Sequence, residues 1–343
     1  MIRVYDTLDG LEDDWRRLYG CAPDVTAYQS FDYAGAALPL CEGTPHIIVW
    51  LHKGEPKAIF PCHIDSRRTL RFIADTHTDF CGPLVESAFA GDYHMCEELA
   101  EHILKTPQIR RVRLENMRSR LFQSSLQYHL KGCVLFTYRK YSFFKVPAQG
   151  DSKTAIDALS HLSTKEKYRL KNIASKMDAS GVESRCFVGG ADPWPGEVVP
   201  VLAQSMVEAG IRKPSYFSGQ FLAFLKAVYE AGLMNVCVTF DGSDPISCNL
   251  LLKGIGDETV DWIALYRDPV SNGWNLLQLI RRMSEEGGGT LNFARGVYMY
   301  KMHNYRPALG DLDRLRYSKS VFGRIADIIG CLVEEIKRSS RSR

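Results

Sequence analysis

Residues 260–286 constrain this 343-residue chain most, because an apolar, a polar and an amphipathic segment follow one another there. Val260–Leu265 is typical of a buried strand, Asp268–Gly273 of a turn and Trp274–Glu286 of a helix. A turn that opens into a helix offers free backbone N–H groups and the positive end of the helix dipole, which favour an anion. The segment contains neither GxGxxG nor GK[ST]. The sequence therefore predicts a pyrophosphate-binding turn of another kind.

The composition is that of an average soluble globular protein, with 45% hydrophobic and 24% charged residues. A net charge of +3 does not indicate a nucleic-acid-binding face. The chain begins without a signal-like apolar segment and has no run of about 18 apolar residues, so we expect a cytoplasmic protein. The ten cysteines form no CxxC pair, and the histidines form no HExxH motif. We expect buried thiols rather than disulfides, and no metal.

Two turn signals of the same kind divide the chain. KGEP at 53–56 and DGSDP at 241–245 each join two apolar strands and follow predicted helices. Their separation of about 190 residues predicts a duplicated domain rather than a short repeat. We expect an N-terminal domain at 1–150, a C-terminal domain at 151–320, and an amphipathic helix with a basic tail at 321–343. The first copy has DTHTDFCGPLV where the second has its turn, so we expect the first to be degenerate.

Two helical segments carry charge patterns of interest. Residues 152–180 read as one long polar helix, and Lys165, Lys167 and Arg169 lie in its basic cluster. This cluster is either a solvated face or a patch that contacts phosphates. Residues 321–337 have an apolar stripe, which favours a packing helix and leaves a peripheral membrane contact as the alternative.

Seven motifs together resemble one protein family. They are AYQSFDY at 27–33, the KGEP hairpin at 53–56, TDFCGPL at 78–84, LSTKEKYRLKN at 162–172, DGSDPISCNLLL at 241–252, WIALYRDPVSNGWNLL at 262–277 and LNFARGVYMYKMHNY at 291–305. In this order and spacing they resemble the CelD-like group of GNAT-superfamily N-acyltransferases, relatives of the Fem-type peptidyltransferases that use aminoacyl-tRNA. The resemblance implies an α/β fold of two tandem GNAT-like domains, each a mixed sheet flanked by helices. It also implies a donor site in the second domain and an acceptor in the cleft between the halves.

The donor implied by the resemblance is an acyl-CoA such as acetyl-CoA, bound as a co-substrate. The candidate residues for its pyrophosphate are Arg267, Asn272, Gly273 and the backbone N–H groups of Trp274 and Asn275. The family's turn is richer in glycine and basic residues than this one. The identity of the donor therefore stays open.

Acyl transfer to an amine needs a proton acceptor for the amine and an acid for the leaving thiolate. Asp79 matches the D-[YF]-x-x-P-L element of the family and is the candidate base, with a turn-capping Asp as the alternative. Tyr266 is the candidate acid, and a hydroxyl that only bonds a neighbour is the alternative. Because side chains alternate along a strand, we expect Trp262 to be buried and Asp261 to face polar surroundings.

The remaining candidates would contact substrate. Arg295, Tyr300 and Lys301 follow the last predicted strand, where structural ion pairing is the alternative role. Lys165, Lys167 and Arg169 resemble the basic helix of the family, where such residues meet phosphates of the acceptor. Trp262 would line the same site.

These observations predict a cytoplasmic N-acyltransferase that acts on an amine, with an amino sugar or a nucleotide- or lipid-linked glycan precursor of polysaccharide biosynthesis as the expected acceptor. A peripheral membrane contact would suit a lipid-linked acceptor. The first alternative is a Fem-type transferase that uses aminoacyl-tRNA, and the second is a non-catalytic scaffold of the same fold. The sequence does not indicate an oligomeric state.

Overall fold

A computed structural model describes residues 1–118, 121–148, 154–213 and 217–341, with side chains described as far as residue 334. The chain divides into two compact units. Unit 1 comprises Met1–Lys140 and Gly310–Arg343, and unit 2 comprises Tyr141–Leu309. The two tandem units of mixed sheet and helix agree with the predicted fold class.

The bounds of these units differ from the domain bounds predicted at 150 and 320. The C-terminal strand pairs with a strand of the first half, where Arg316 lies opposite Arg113 and Tyr317 opposite Val112. This pairing places the last 34 residues, Gly310–Arg343, in unit 1. Local sequence patterns do not report such a long-range return of the chain. The assignment of one degenerate and one donor-binding domain stays a prediction.

Unit 1 contains two sheets. Its elements in chain order are β1 (Ile2–Tyr5), α1 (Glu12–Cys21), α2 (Phe31–Ala37), β2 (Gly43–Pro45), β3 (Ile47–His52), β4 (Glu55–Phe60), β5 (Cys62–Asp65), β6 (Thr69–Phe72), β7 (Leu84–Val85), α3 (Tyr93–Lys105), β8 (Arg111–Met117), α4 (Leu121–His129), β9 (Val134–Pro147, entering unit 2 at Tyr141), β15 (Ala308–Ser318, entering unit 1 at Gly310) and α11 (Val321–Arg341). The first sheet has the order β1-β3-β4-β7, and the second runs β15-β8-β6-β5-β2, with β6 and β8 parallel.

The core of unit 1 shows why α3 forms where it does. Asp92 caps the helix, because its carboxylate accepts the backbone N–H of Met95 at 2.7 Å. Met95, Leu99 and Ile103 then recur at helical spacing, and all three are fully buried. They pack in one hydrophobic cluster with residues of β3, β4, β6 and β8.

Unit 2 is built on one sheet. Its elements are α5 (Ala155–Ala158), α6 (Thr164–Ala179), β10 (Glu183–Phe187), α7 (Val198–Glu208), α8 (Gly219–Glu230), β11 (Met234–Asp241), β12 (Asp244–Lys253), β13 (Glu258–Tyr266), α9 (Pro269–Glu285), β14 (Gly288–Arg295) and α10 (Met299–Tyr305). The strand order is β10-β11-β12-β13-β14-β9, and among the described residues of this sheet only β13 and β14 pair in parallel. Helix α7 contacts β12 and β13, α8 contacts β11, and α9 contacts β11–β14.

A bulge in β13 directs the side chains of the neighbouring residues Asp261 and Trp262 into different surroundings. Leu250 lies opposite Ile263 and Leu251 opposite Asp261, so Trp262 is an extra residue in the ladder. Trp262 packs edge-on against phenylalanines of α8, at 5.9 Å from Phe224. Asp261 bonds instead to a side chain of β12 within the polar cluster beneath α9. The expectation of a buried Trp262 is confirmed.

The long helix predicted at 152–180 is wrong in its extent. Residues 151–153 lie outside the described residues, α5 ends at Ala158, and α6 begins at Thr164. Ser163 starts α6 through a capping box, since its hydroxyl accepts the N–H of Glu166 while the Glu166 carboxylate accepts the N–H of Ser163. The S-x-x-E pattern at 163–166 is the signal that marks this helix start.

Two cysteines depart from the expectation of isolated thiols. Cys186 on β10 lies opposite Cys237 on β11, and the two are joined as a disulfide. The sequence pattern could not reveal the pair, because it depends on the register between the two strands. None of the helices in the described part of the chain has the length and apolar character needed to cross a bilayer.

Candidate functional site

The parallel strands β13 and β14 of unit 2 pair over only three residues. Glu258–Val260 lie opposite Thr290–Asn292, and no later residue of these two fully described strands pairs with the other strand. β14 shifts register beyond Asn292, where Ala294 has a φ of 58° and donates its N–H to Asn292 Oδ1 at 2.8 Å. The facing edges of β13 and β14 therefore stop sharing a hydrogen-bond ladder at this point, and their backbone groups need other partners.

A chain of buried polar groups begins where the pairing stops. Asp261, 2% exposed, accepts hydrogen bonds from Lys301 Nζ at 3.1 Å and from Asn249 Nδ2 at 2.7 Å. Asn275 on α9 donates to Asn249 Oδ1 at 2.7 Å and to the carbonyl of Cys237 at 3.0 Å. Lys301 is itself only 4% exposed. Buried charges persist where each has a charged or hydrogen-bonded partner, and both conditions hold here.

Aromatic rings surround the Lys301 ammonium group. Its Nζ lies 4.6 Å from the ring centre of Phe293, 5.6 Å from that of Tyr298 and 5.8 Å from that of Tyr300. Burial, and then the negative charge of Asp261, raise the pKa of the Tyr300 hydroxyl, while the side chain of Asn272 opposes the shift. Tyr300 keeps 36% of its surface exposed, and its hydroxyl group is hydrogen-bonded to the side chain of the buried Asn272.

Five buried side-chain oxygen atoms of unit 2 have no hydrogen-bond partner among the described residues: Asn272 Oδ1, Asn275 Oδ1, Ser247 Oγ, Thr239 Oγ1 and, on β9, Ser142 Oγ. Thr239 and Ser247 lie opposite each other on β11 and β12, and the two asparagines belong to α9, which packs on these strands. Buried polar groups are nearly always hydrogen-bonded to protein or water. This side of the sheet therefore has hydrogen-bonding capacity for a ligand or for water.

The predicted turn at Asp268–Gly273 is wrong, because α9 already begins at Pro269. The carboxylate of Asp268 caps the helix and accepts the N–H groups of Val270 at 2.8 Å and Ser271 at 3.0 Å. Pro269 has no N–H to offer. The first donors of the helix are thus used by a carboxylate of the chain, whose negative charge opposes a second anion there. Asp followed by Pro is the missed sequence signal for this helix start.

The five residues predicted to bind the donor phosphates lie on or beside α9. Asn272, Gly273, Trp274 and Asn275 are buried in its first turns, where backbone N–H groups serve the helix. Arg267 forms an ion pair with Asp244, with Nη2 and Oδ1 2.7 Å apart. The role of these residues in donor binding stays a prediction.

The other candidates of unit 2 lie at strand ends and on α6. Tyr266 ends β13 opposite Ser247, and Arg295 ends β14; both are half-buried. On α6, Lys165 is exposed, whereas Lys167 donates to the carbonyl of Asp157 and Arg169 to the carbonyl of His303. Two of the three basic residues therefore hold α6 to its neighbours. Their proposed contacts with substrate are untested.

Asp79 lies in unit 1, in the loop between β6 and β7, and is buried. The loop is fixed beside it, because the carbonyl of Thr78 accepts Asn116 Nδ2 at 2.8 Å and the Thr78 hydroxyl bonds Tyr33 Oη at 3.2 Å. A buried carboxylate on a fixed loop suits a catalytic or a purely structural role. Its role as a base stays a prediction.

The amino-acid sequence matches no protein-family model, and no curated protein matches it. Solved structures resemble the fold. FemX aligns with a TM-score of 0.61 at 10% identity, covering 90% of this chain and 96% of FemX. L-PGS from Bacillus licheniformis aligns with a TM-score of 0.60 at 12% identity, covering 94% of this chain and 96% of L-PGS. The C-terminal domain of a protein from Agrobacterium fabrum named as a lysylphosphatidylglycerol synthetase aligns with a TM-score of 0.58 at 10% identity, covering 94% of each chain.

The chain shares its fold with these structures. At 10–12% identity these likenesses show the architecture alone, over nearly the whole length of both partners. They agree with the α/β fold class of two tandem domains expected from the sequence motifs, and they do not single out the CelD-like group.

Proposed function

We propose that the chain is a transferase that moves an activated acyl group onto an amine, with its reaction centre in unit 2. The observation that carries this proposal is the buried Asp261–Lys301 pair at the point where β13 and β14 stop pairing. The pair brings a carboxylate and an ammonium group next to the Tyr300 hydroxyl. These groups adjoin the unpaired edges of β13 and β14, which can bind the amide groups of an extended ligand. The oxygen atoms without partners on α9 and β12 supply further acceptors.

The reaction needs three things from these groups. The carboxylate of Asp261 accepts the proton of the attacking amine, directly or through water. The ammonium group of Lys301 stabilises the negative charge on the carbonyl oxygen of the tetrahedral intermediate. The leaving group takes a proton when the intermediate collapses, from the predicted Tyr266 or from Tyr300. The raised pKa of Tyr300 makes it a weaker acid, which suits an alkoxide better than a thiolate. The proton held by Asp261 then returns to the tyrosine through water, which restores both groups. Asp79, the base expected from the sequence, belongs to unit 1 and remains a separate proposal.

The donor is either an acyl-CoA or an aminoacyl ester of tRNA. Acyl-CoA is the expectation from the motifs, with Arg267 and the start of α9 as the phosphate site. The Asp268 cap favours the second candidate, because the helix start that should hold a pyrophosphate is filled by a carboxylate. The likeness to FemX and L-PGS supports the same choice at the level of fold.

The acceptor proposed from the sequence is an amine on an amino sugar or on a nucleotide- or lipid-linked glycan precursor. The exposed Lys165 and the half-buried Arg295 are the basic side chains proposed to contact its phosphates. Both belong to unit 2.

The experiment offers the full chain two labelled donors, acetyl-CoA and a mixture of aminoacyl-tRNAs, with a panel of amino sugars and nucleotide-linked amino sugars. Product formation is followed by mass spectrometry. One donor should give an amide product, and Lys301→Met should abolish turnover. Lys145→Met is the matched control, because Lys145 makes an exposed ion pair with Asp257 elsewhere in unit 2.

Binding measurements separate failure of chemistry from failure to recognise the donor. We expect the productive donor to raise the melting temperature of the wild-type chain and of the Lys301→Met variant alike. If neither donor binds at millimolar concentration, the transferase proposal is overturned and a scaffold role takes its place.

A further inference from the structure

One face of the second sheet in unit 1 carries a row of arginines on three neighbouring strands. Arg113 on β8 lies opposite Arg316 on β15. β6 runs parallel to β8 with Leu70 opposite Val112, which brings Arg71 beside Arg113 one residue further on. Leu70 and Val112 point into the hydrophobic core, so the arginines face the other way. Like charges on adjacent strands destabilise a sheet unless something compensates them.

Carboxylates of the chain compensate this row incompletely. Arg71 pairs with Asp75 at 2.9 Å and Arg316 with Glu334 at 2.7 Å. Arg113 approaches Glu115 only to 3.4 Å.

A fourth arginine, Arg314, competes for two of these carboxylates. It binds Glu115 at 2.8 Å and Glu334 at 2.7 Å. Four arginines thus share the carboxylates of Asp75, Glu115 and Glu334. Burial, together with the charges of Arg316, Arg314 and Arg71 and against the opposing charge of Glu115, lowers the pKa of Arg113.

The row opens into a polar cavity of about 310 Å³. Arg71, Arg113 and Arg316 line it, and Arg67 and Arg111 extend it toward solvent. Its acidic lining residues are Glu42, Asp65 and Asp327.

Two of these acids are engaged, since Asp65 accepts the N–H groups of Arg67 and Thr69 and Asp327 accepts the hydroxyl of Ser318. Arg316 is 6% exposed, and its Nε has no hydrogen-bond partner among the described residues. Five arginines and three carboxylates thus line the cavity, and Asp75, Glu115 and Glu334 pair with its inner arginines from behind.

We propose that this cavity binds a phosphate group, as a phosphomonoester or a pyrophosphate. Guanidinium groups from three strands can donate hydrogen bonds to the three terminal oxygens of a phosphate. A carboxylate ligand has only two oxygens and could not bind all three groups in this way. The site lies within unit 1 and does not depend on the acyl-transfer proposal. The phosphate comes from a soluble phosphate ester or from a lipid headgroup, and the cavity chemistry is the same for both.

The outer face of α11 makes the lipid source testable. Glu334 and Asp327 on this helix bond inward to Arg316 and Ser318, whereas Phe322, Ile325 and Ile329 are exposed. A Phe322→Ser, Ile329→Ser double variant removes two of the exposed apolar side chains of this face and leaves the arginine row unchanged.

The first arm titrates the full chain with inorganic pyrophosphate by calorimetry at low salt. We expect saturable binding that Arg113→Gln weakens about tenfold or more and that added salt weakens further. Arg111→Gln, at the exposed rim, should weaken binding less and serves if Arg113→Gln fails to fold. Arg281→Gln in unit 2, which breaks an exposed pair with Glu285, is the matched control and should change nothing.

The second arm measures sedimentation with phosphatidylcholine vesicles, with and without phosphatidic acid. Binding to the acidic vesicles alone, lost in both Arg113→Gln and the Phe322/Ile329 double variant, identifies a lipid phosphate. Pyrophosphate binding without vesicle binding identifies a soluble ester. Absence of both kinds of binding, or equal losses in Arg113→Gln and Arg281→Gln, overturns the proposal.

Discussion

Asp261 Oδ2 accepts a hydrogen bond from Lys301 Nζ at 3.1 Å, and both side chains are almost fully buried. The two residues are 40 positions apart in the chain, on β13 and α10. Asn249 holds the other carboxylate oxygen, and Phe293 lies under the ammonium group. A charge pair in such surroundings is stable only while both partners are present.

Removing one partner of this pair should therefore be costly. We expect Lys301→Met to lower the free energy of unfolding by about 3–5 kcal/mol, because Asp261 is left as an uncompensated buried charge. The double variant Asp261→Asn, Lys301→Met should lose less than the sum of its single variants. Urea unfolding followed by tryptophan fluorescence measures all three.

An exposed pair gives the control. Lys145 and Asp257 lie 3.2 Å apart with both side chains largely in solvent, so Lys145→Met should lower the free energy of unfolding by less than about 1 kcal/mol. Equal losses at Lys145 and Lys301 would show that the buried pair has no special role in stability.

The Asp268 cap can be separated into its hydrogen bonds and its charge. Asp268→Ala should lower the free energy of unfolding by about 1 kcal/mol, because two N–H groups at the start of α9 lose their acceptor. Asp268→Asn keeps an acceptor and should remain close to the wild type. Because the Asp268 carboxylate occupies the start of α9, we expect the donor phosphates to bind elsewhere. Asp268→Asn should then leave the affinity for CoA unchanged in a calorimetric titration. A tenfold gain in CoA affinity would show instead that the phosphates bind at the start of α9.

Gly288 tests how tightly the start of β14 is held. A Cβ at this position would lie 2.6 Å from the carbonyl oxygen of Val146, and the residue has a φ of 90°. Gly288→Ala should therefore cost clearly more than the roughly 1–2 kcal/mol of a left-handed backbone alone. Gly242→Ala is the control, since its φ of 60° is also positive but nothing lies within 4 Å of its Cβ. Thermal unfolding measures both variants. Equal losses of melting temperature in Gly288→Ala and Gly242→Ala would rule out the clash with Val146.

Local signals in the sequence account for the hairpins and most helices. The turn after β3 forms at Lys53 and Gly54, both with positive φ, as the KGEP pattern predicts for a tight hairpin. The two wrong helix starts have signals that could have corrected them, Ser163 with Glu166 for α6 and Asp268 with Pro269 for α9. These errors concern the choice between competing local patterns.

The site could be predicted only in part, because its contacts are set by register and by distant packing. The place of Lys301 after a strand makes it a candidate, but its partner Asp261 depends on the bulge beside Trp262. No local pattern links Asn249 with Asn275, since they meet only when α9 packs on β12. The arginine row likewise requires the pairing of β15 with β8, which no local pattern indicates.

Unit 1 should lose stability as the pH falls below 6.5. His46 Nε2 and His102 Nε2 lie 3.0 Å apart, so one ring must donate to a neutral partner. Burial and then the nearby His102 lower the pKa of His46 to about 4, and burial also lowers the pKa of His102. Because the unfolded chain takes up these protons first, the stability present above pH 6.5 is lost progressively toward pH 4.

Asp75 has the opposite effect on stability at low pH. Burial raises its pKa to about 6, although the charge of Arg71 opposes the shift. Between pH 6 and pH 4 the folded chain therefore binds this proton more readily than the unfolded chain does, which stabilises the folded state. The histidine contribution is therefore read from a difference between variants. Urea midpoints measured from pH 7 to pH 4 should fall less steeply in His46→Leu than in the wild type. His94→Leu removes an exposed histidine and should keep the wild-type slope. Identical slopes in all three proteins would show that the His46–His102 pair does not control the acid stability of unit 1.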